Sequence, residues 1–288
     1  MKLPPFDYAC PASIAEAVSL LASHEGEAKV IAGGQSLIPM MAYRLATPSL
    51  LVDLRKLPGL DRIEVGTKEI RLGAKVRWRD ILDSAKLRKA HPLLIDAISH
   101  VAHYQIRNRG TVGGSLAHAD PAAEMPGIAV TCNALIYIVG KAGERVLRAD
   151  GFFLGALTTA LQPDEIITEV RLPAWPATRR WGFEEFARRR GDFALGAVAV
   201  FYDEDGFGRA KDVHIGVIGA SNRPRRVKGA EDVLNGRAVT GALIVEAGQA
   251  VSASVDPPDD IHASAAYRRA LAGTLTERAL TRAAGGAK

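Results

Sequence analysis

Cysteine is almost missing from this chain: among 288 residues only Cys10 and Cys132 occur, and they lie far apart. Two such thiols make neither a disulfide framework nor the close spacing that zinc or iron–sulfur ligation needs. A reducing cytoplasm suits them. No apolar run reaches the ~18 residues that suggest a membrane helix. The start, MKLPPFDYACPAS, has one lysine followed by prolines, which predicts neither a secretory signal nor a membrane span. Aromatic residues are scarce at 6%, and positive charge is in modest excess, 37 Lys+Arg against 32 Asp+Glu. The arginines fall in short groups (Arg179 and Arg180; Arg188 to Arg190; Arg223, Arg225 and Arg226) with little aromatic interleaving. That pattern disfavours nucleic acid and suits an anionic cofactor or a protein partner. Also absent are a G-x-G-x-x-G opening a helix and a G-x-x-x-x-G-K-[ST], so neither a Rossmann dinucleotide site nor a phosphate-transferring P-loop is written here.

What remains is an ordinary folded composition, 48% hydrophobic and 24% charged, on a length that predicts roughly two domains at ~150 residues each. SIAEAVSLLASHEG reads as a helix, with Ser13 and Glu16 at capping-box spacing and Ile14, Val18 and Leu21 on one face. AKVIAGG is a strand stopped by two glycines, SLIPMMAYRLATPS a helix that tolerates Pro39 near its start, and LLVDL a buried strand. DRIEVGTKEIRLGA alternates as a hairpin, followed by helical RDILDSAKLRKA and PLLIDAISHVA. A loop over 107–126 leads to an apolar helix ending at Thr131, then a hairpin turning at Lys141 to Gly143. One more strand follows, and Pro173 and Pro176 mark the domain boundary. Beyond it come three strands, predicted antiparallel, and two closing helices, the last with Tyr267, Leu271, Leu275 and Leu280 on its core face.

Chemistry concentrates in two glycine pairs beside hydroxyl residues, AGGQS at 32–36 and GTVGGS at 110–115. Glycine allows positive φ and close approach, so backbone N–H groups can converge on an anion. Ser36, Thr111 and Ser115 add hydroxyl donors. A single glycine pair is more often just a turn, but two segments brought together would cradle a diphosphate, and the missing Walker lysine points to a bound dinucleotide rather than phosphoryl transfer. His100 and His103 have H-x-x-H spacing with no third metal ligand in sight, which favours pocket lining or surface.

AGGQSLIPMM, YQIRNRGTVGGSLAHADPAAEMP and EEFARRRGDFALGAVAV, in this order and spacing, resemble the medium, FAD-binding subunit of the molybdenum hydroxylases, the group of aerobic carbon monoxide dehydrogenase, related to the xanthine dehydrogenase FAD domain. The similarity runs from about Phe6 to the last helix. It implies an α+β chain: a two-subdomain FAD-binding fold of the PCMH type over 1–175 (subdomains about 1–57 and 58–175), then a C-terminal α+β domain over 179–288 with a three-stranded antiparallel sheet and helices. It further implies that Val30, Ile31, Ala32, Gly33, Gly34, Gln35 and Ser36 wrap the FAD diphosphate from one side, and Gly110, Thr111, Gly113, Gly114 and Ser115 from the other. By the same resemblance Glu124 meets the adenosine ribose, and Ala102, Tyr104 and Ile106 line the cavity. Ile167 meets the flavin's polar edge through its backbone, Asp192 its ring edge and Phe193 one face, the alternative for Phe193 being a core aromatic in a strand. Where the xanthine dehydrogenase domain has a lysine near the flavin, this chain reads Glu184 or Glu185. The cysteine-bearing loop that some aromatic-CoA reductases insert for an extra cluster is absent.

The implied function is FAD-based electron transfer with no catalytic acid or base. The molybdenum cofactor would sit on a large partner and two-iron two-sulfur clusters on a small one, in a cytoplasmic dimer of heterotrimers with no membrane span and no nucleic acid, association with the inner face of the membrane through an acceptor being the alternative location. A self-contained FAD-dependent oxidase and a non-catalytic nucleotide-binding module are the alternatives.

Overall fold

The computed structural model describes residues 2–286. Helix Ile14–Ser23 starts where predicted, with Ser13 accepting from the Glu16 amide and turning Val18 and Leu21 inward. It covers a three-stranded parallel sheet in which Leu50–Asp53 lies between Asp7–Ala9 and Ala28–Ile31. All four residues of the central strand are buried, which suits its apolar start Leu50–Leu51–Val52; the fourth, Asp53, is a buried carboxylate. Strand Ala28–Ile31 delivers the chain into the first glycine segment, and helix Leu37–Ala42 carries it away.

The following region is a five-stranded antiparallel sheet with strand order Ile63–Val65, Glu69–Gly73, Ile166–Pro173, Leu135–Gly140, Gly143–Arg148. Both predicted hairpins form in it: Ile63 pairs with Leu72, and Gly140 pairs with Gly143 across a two-residue turn. The central strand carries a bulge between Ile167 and Glu169, where the Thr168 carbonyl accepts from the Ala74 amide at 2.9 Å. Two expectations change here. The stretch 79–90 is two helices, Trp78–Asp83 and Ala85–Ala90, because Ser84 ends the first and its side chain caps the second through the Leu87 amide. The predicted loop 107–126 contains helix Val112–His118, whose N-cap Thr111 accepts from the Gly114 amide at 3.1 Å. Glycine pairs lower helix propensity, so the local signal reads as a turn; tertiary packing decides otherwise.

The third sheet orders Arg180–Phe186, Gly196–Glu204, Ala210–Ile218 and a two-residue edge strand, Arg225–Arg226. The last was too short to stand out as a strand in the sequence. One face packs on helices Gly241–Ser254 and Ala265–Ala284 through Val198, Val200, Val217, Leu275 and Leu280. Tyr267 is 45% exposed, and so falls off the core face assigned to it. The other face packs on helix Glu124–Thr131, every residue of which is buried. A Cβ at Gly127 would overlap Ile218, and one at Gly216 would overlap Thr131. That closeness makes one apolar core of residues from both sides of Pro173, including Ile128, Val170, Phe183 and Phe201. No helix among the described residues is long and apolar enough to cross a membrane.

Candidate functional site

The two glycine segments meet. A Cβ on Gly33 would overlap the carbonyl oxygen of Arg109 and lie 3.0 Å from the Gly110 Cα, so glycine is required for contact between segments some 75 residues apart in the chain. Gly34 is needed for a different reason, its φ of +72°. The Gln35 side chain fixes the bend by donating to the Gly33 carbonyl at 2.9 Å. Among the described residues no protein acceptor takes the amides of Gly33, Gly34, Gln35 or Ser36, and the Ser36 hydroxyl caps nothing although Ser36 precedes a helix. A bend with four free amides and a free hydroxyl suits an anion. Val30 and Ile31 sit just before it, in the parallel ladder opposite Val52 and Asp53.

The second segment is built differently. Its amides are already used: Val112 donates to Val76 at 2.9 Å, Gly113 to Ala74 at 2.8 Å, Gly114 to the Thr111 hydroxyl, and Ser115 to the Thr111 carbonyl at 3.0 Å. This corrects the expectation that Gly113, Gly114 and Ser115 aim N–H groups at an anion. Gly113 is glycine for space, since a Cβ would lie 2.6 Å from the Ala74 Cβ, and Gly110 likewise against the indole nitrogen of Trp78, at 2.7 Å. These contacts dock the segment on residues 74–78, where Arg77 pairs with Thr111. Gly114 is exposed and Ser115 half-buried. Where the two segments join, a cavity of about 250 Å³ is lined by Ala32, Gly33 and Thr111 together with Arg55, Lys75, Arg77 and Arg109. Those four cations went unnoticed in the sequence. The only local cue was the alternation of Lys75, Arg77 and Arg79 after a strand, which reads equally well as a solvated edge.

A second meeting point joins residues 102–103 to the segment between the first two strands of the C-terminal sheet. A Cβ on Gly191 (φ +91°) would sit 2.6 Å from the His103 ring and 2.8 Å from the Ala102 carbonyl. Ala102 itself has a φ of +39°, uncommon for a residue with a side chain, and Arg107 holds its carbonyl at 2.9 Å. Asp192 and Phe193 follow directly, both exposed, Phe193 at 62%. A core aromatic in a strand is therefore excluded for Phe193; Tyr104 is likewise exposed and Ile106 half-buried.

The helix that carries Gly113 and Gly114 packs against both the strand of Ile167 and the helix that Glu124 opens. Ile167 is buried beside the bulge. Glu124 is the first residue of the buried helix, and its acid is pushed up to about 8 by burial and by the nearby charges of Glu185 and Asp120. Glu185, whose side chain is buried, lies 3.6 Å from His100 and raises that imidazole above its ordinary value. His100 thus serves a carboxylate, and no group of three or more metal-binding side chains occurs among the described residues.

Glycines that admit a second backbone, four unclaimed amides and a cationic cavity fit a dinucleotide carrying a diphosphate. Comparison with known proteins agrees. Residues 4–175 match the family described as FAD binding domain in molybdopterin dehydrogenase, and residues 181–283 match the CO dehydrogenase flavoprotein C-terminal domain. The chain belongs to this family of FAD-binding flavoprotein subunits of oxidoreductases. Among its relatives, the nicotine 6-hydroxylase medium subunit of Paenarthrobacter nicotinovorans is 44% identical over 98% of this chain and 99% of its own length. The carbon monoxide dehydrogenase medium chain of Hydrogenophaga pseudoflava is 35% identical over 97% of each chain. In structure, a chain of quinoline 2-oxidoreductase from Pseudomonas putida 86 superposes with a TM-score of 0.94 at 38% identity, covering 99% of both chains.

Proposed function

We propose that this chain is the FAD-carrying electron-transfer subunit of a molybdenum hydroxylase complex. It would take electrons from two-iron two-sulfur clusters on a small partner subunit and pass them to an external acceptor, with the molybdenum cofactor on a large partner. The observation that carries this reading is the run of free amides from Gly33 to Ser36 held against the Arg109–Gly110 backbone, in a chain aligned end to end with medium subunits of such enzymes. Two cysteines, one of them buried with its thiol pushed up to about 12 by that burial, cannot ligate a cluster here, so those centres belong to partners.

Residues 32–36 would bind the diphosphate, Gly33 to Ser36 through their amides, and Ser36, Thr111 and Ser115 would add hydroxyls. Glu124, kept protonated near neutral pH by its burial, can both donate to and accept from vicinal ribose hydroxyls. Phe193 and Asp192, carried on the loop that Gly191 anchors at Ala102 and His103, would meet the ring system, with Ile167 at its polar edge. FAD, when bound, supplies a group that accepts electrons singly and releases them in pairs. In this reading residues 1–175 hold the nucleotide and 179–288 close over the ring, within a cytoplasmic dimer of heterotrimers. The named substrates of the relatives differ, nicotine for one and quinoline for another, which fits a substrate chosen on the large partner.

The test is an absorption spectrum of the purified chain followed by a pull-down assayed for molybdenum and iron. Expected are stoichiometric flavin and co-purification of both metals. Flavin that a small substrate bleaches with no partner present would favour a self-contained oxidase, and a colourless protein a nucleotide-binding module. A β-branched side chain at Gly114 would push on the Thr111 hydroxyl, which lies 2.8 Å from a Cβ there. Full yellow colour in Gly114→Val would contradict the cradle.

A further inference from the structure

The arginine groups of the sequence meet different fates in the fold. Arg179 is matched by Asp203 at 2.7 Å, Arg180 by Glu204 at 3.3 Å and Arg226 by Glu231 at 2.7 Å, while Arg223 donates to the Phe153 carbonyl at 2.9 Å. Arg188, Arg189 and Arg190 are all exposed, and among the described residues no carboxylate lies within ion-pair distance of any of them; Arg188 meets only His262, at 3.5 Å. They stand on the loop 187–195 between the first two strands of the C-terminal sheet, closed at its base where the Leu195 amide donates to the Phe186 carbonyl at 2.8 Å. A second loop, 256–263, lies beside it and carries Ile261, 94% exposed. Arg268 of the last helix, itself buried, braces the two: it donates to the Leu195 carbonyl at 2.7 Å and to the Asp260 carboxylate at 2.7 Å. Asp260 in turn accepts from the amides of His262 and Ala263 at 2.8 and 2.9 Å, which fixes the turn that presents Ile261. Burying a guanidinium is costly unless its bonds offset the lost hydration, and what this one secures is the relative placing of two loops with exposed tips. Tyr267, off the core face, stands one helical turn before Leu271, which a Cβ at Gly196 would meet at 3.3 Å, at the foot of the arginine loop.

We infer that these two braced loops form a docking surface for an acidic one-electron carrier protein, whose carboxylates meet Arg188, Arg189 and Arg190 and whose apolar contact falls on Ile261 and Tyr267. The carrier's role rests on the electron-transfer reading above; its docking does not. Arginine and tyrosine are residue types that carry interface energy, and unmatched guanidinium groups steer an acidic face into place. Loops held in advance lose little freedom on binding. A permanent subunit contact is depleted in charge at its centre, whereas electron-transfer encounters are small and transient, which suits a patch with three unpaired cations. An anionic lipid surface fits poorly, because exposed Asp256 and Asp259 share the loop of Ile261. Pairing of this patch with a second copy would gather the same positive charge from both. In the exchange each carrier takes one electron, so two dock in turn for every pair released by the reduced flavin, whose two protons pass to solvent.

The test titrates plastocyanin, an acidic blue-copper carrier, and cytochrome c, a basic one, into the full chain by calorimetry. Wild type is compared with Ile261→Ser and with a triple variant, Arg188→Gln, Arg189→Gln and Arg190→Gln together. All four positions are exposed, so the variants should fold, and a melting curve checks this. The triple variant should weaken plastocyanin by ~10-fold and Ile261→Ser by ~3-fold, with the first gap closing as salt is added and cytochrome c bound no more weakly than by wild type. After dithionite reduction of the flavin-loaded chain, the rate of plastocyanin reduction at low concentration should fall by the same factors. Plastocyanin bound equally by wild type and triple variant, or by neither, overturns the inference. So does self-association that the triple variant abolishes, or co-sedimentation with phosphatidylserine vesicles that it abolishes while plastocyanin binding stays the same. Weakened binding with an unchanged rate of reduction overturns the carrier role. A chain that takes up no FAD yet binds plastocyanin through the arginine loop would sink the cofactor reading and leave the docking surface standing.

Discussion

The first and second glycine segments look alike on the page, each a glycine pair beside a hydroxyl residue, yet they solve different problems. In the first, Gly34 bends the chain through positive φ and Gly33 lets another backbone touch it. In the second, Gly113 and Gly114 are helical and make room, for Ala74 and for the Thr111 cap respectively. One segment keeps its amides open; the other closes them and leaves the charge to neighbouring side chains. A glycine pair therefore carries little meaning until its partners are known.

Breaking the first segment should have the largest effect. Gly33→Ala drives a methyl into the Arg109 carbonyl, a backbone atom with little freedom to move. The segments should separate, with loss of flavin and a destabilisation of ~2 kcal/mol or more, in the upper part of the range for overpacking. Gly34→Ala meets conformational strain instead, ~1–2 kcal/mol, and should retain much of its flavin. Flavin absorbance and thermal melting read both, and equal losses would mean that φ and contact are not separable here.

The buried helix beyond the second segment offers an intermediate effect through pH. The Glu124 acid is raised from 4.5 to about 8 in the folded chain. A raised acid binds its proton more tightly when folded, so its contribution to stability is complete below pH ~4.5 and is lost as pH climbs through about 8. Glu124→Gln should flatten the melting temperature between those limits and melt higher than wild type at pH 8. A wild type whose stability rises from pH 5 to 8, with the variant parallel to it, would show that Glu124 is ionised in the fold.

The smallest effect should come from Thr111→Ala, which removes the cap of a seven-residue helix already held by backbone bonds to Val76 and Ala74. A loss of ~1 kcal/mol is expected, with weaker flavin retention if the hydroxyl also meets the diphosphate. No change in either would confine the second segment's role to packing.

Elements with a strong period were legible in advance. The Ser13 cap, both hairpins and the buried strand Leu50–Asp53 stand where the pattern put them. The break at Ser84 and the helix at Val112 were not, since a serine inside a helical pattern and a glycine pair each carry two local meanings. Of the site, the glycines and hydroxyls could be read in the sequence. Arg77, Arg109 and Gly191 could not, because what matters about each is a neighbour from a distant part of the chain.

By itself the sequence determined the alternation of strands and helices, the scarcity of thiols and the family motifs, because these depend on residues within a turn or a strand of one another. Which amides stay open, which cations share a cavity, and why Gly33 admits no side chain were decided only by the tertiary structure. The reason is steric and electrostatic. A carbonyl from residue 109 occupies the space of a missing methyl at residue 33, and hydrogen bonds to residues 74–76 silence one set of N–H groups while leaving the other exposed.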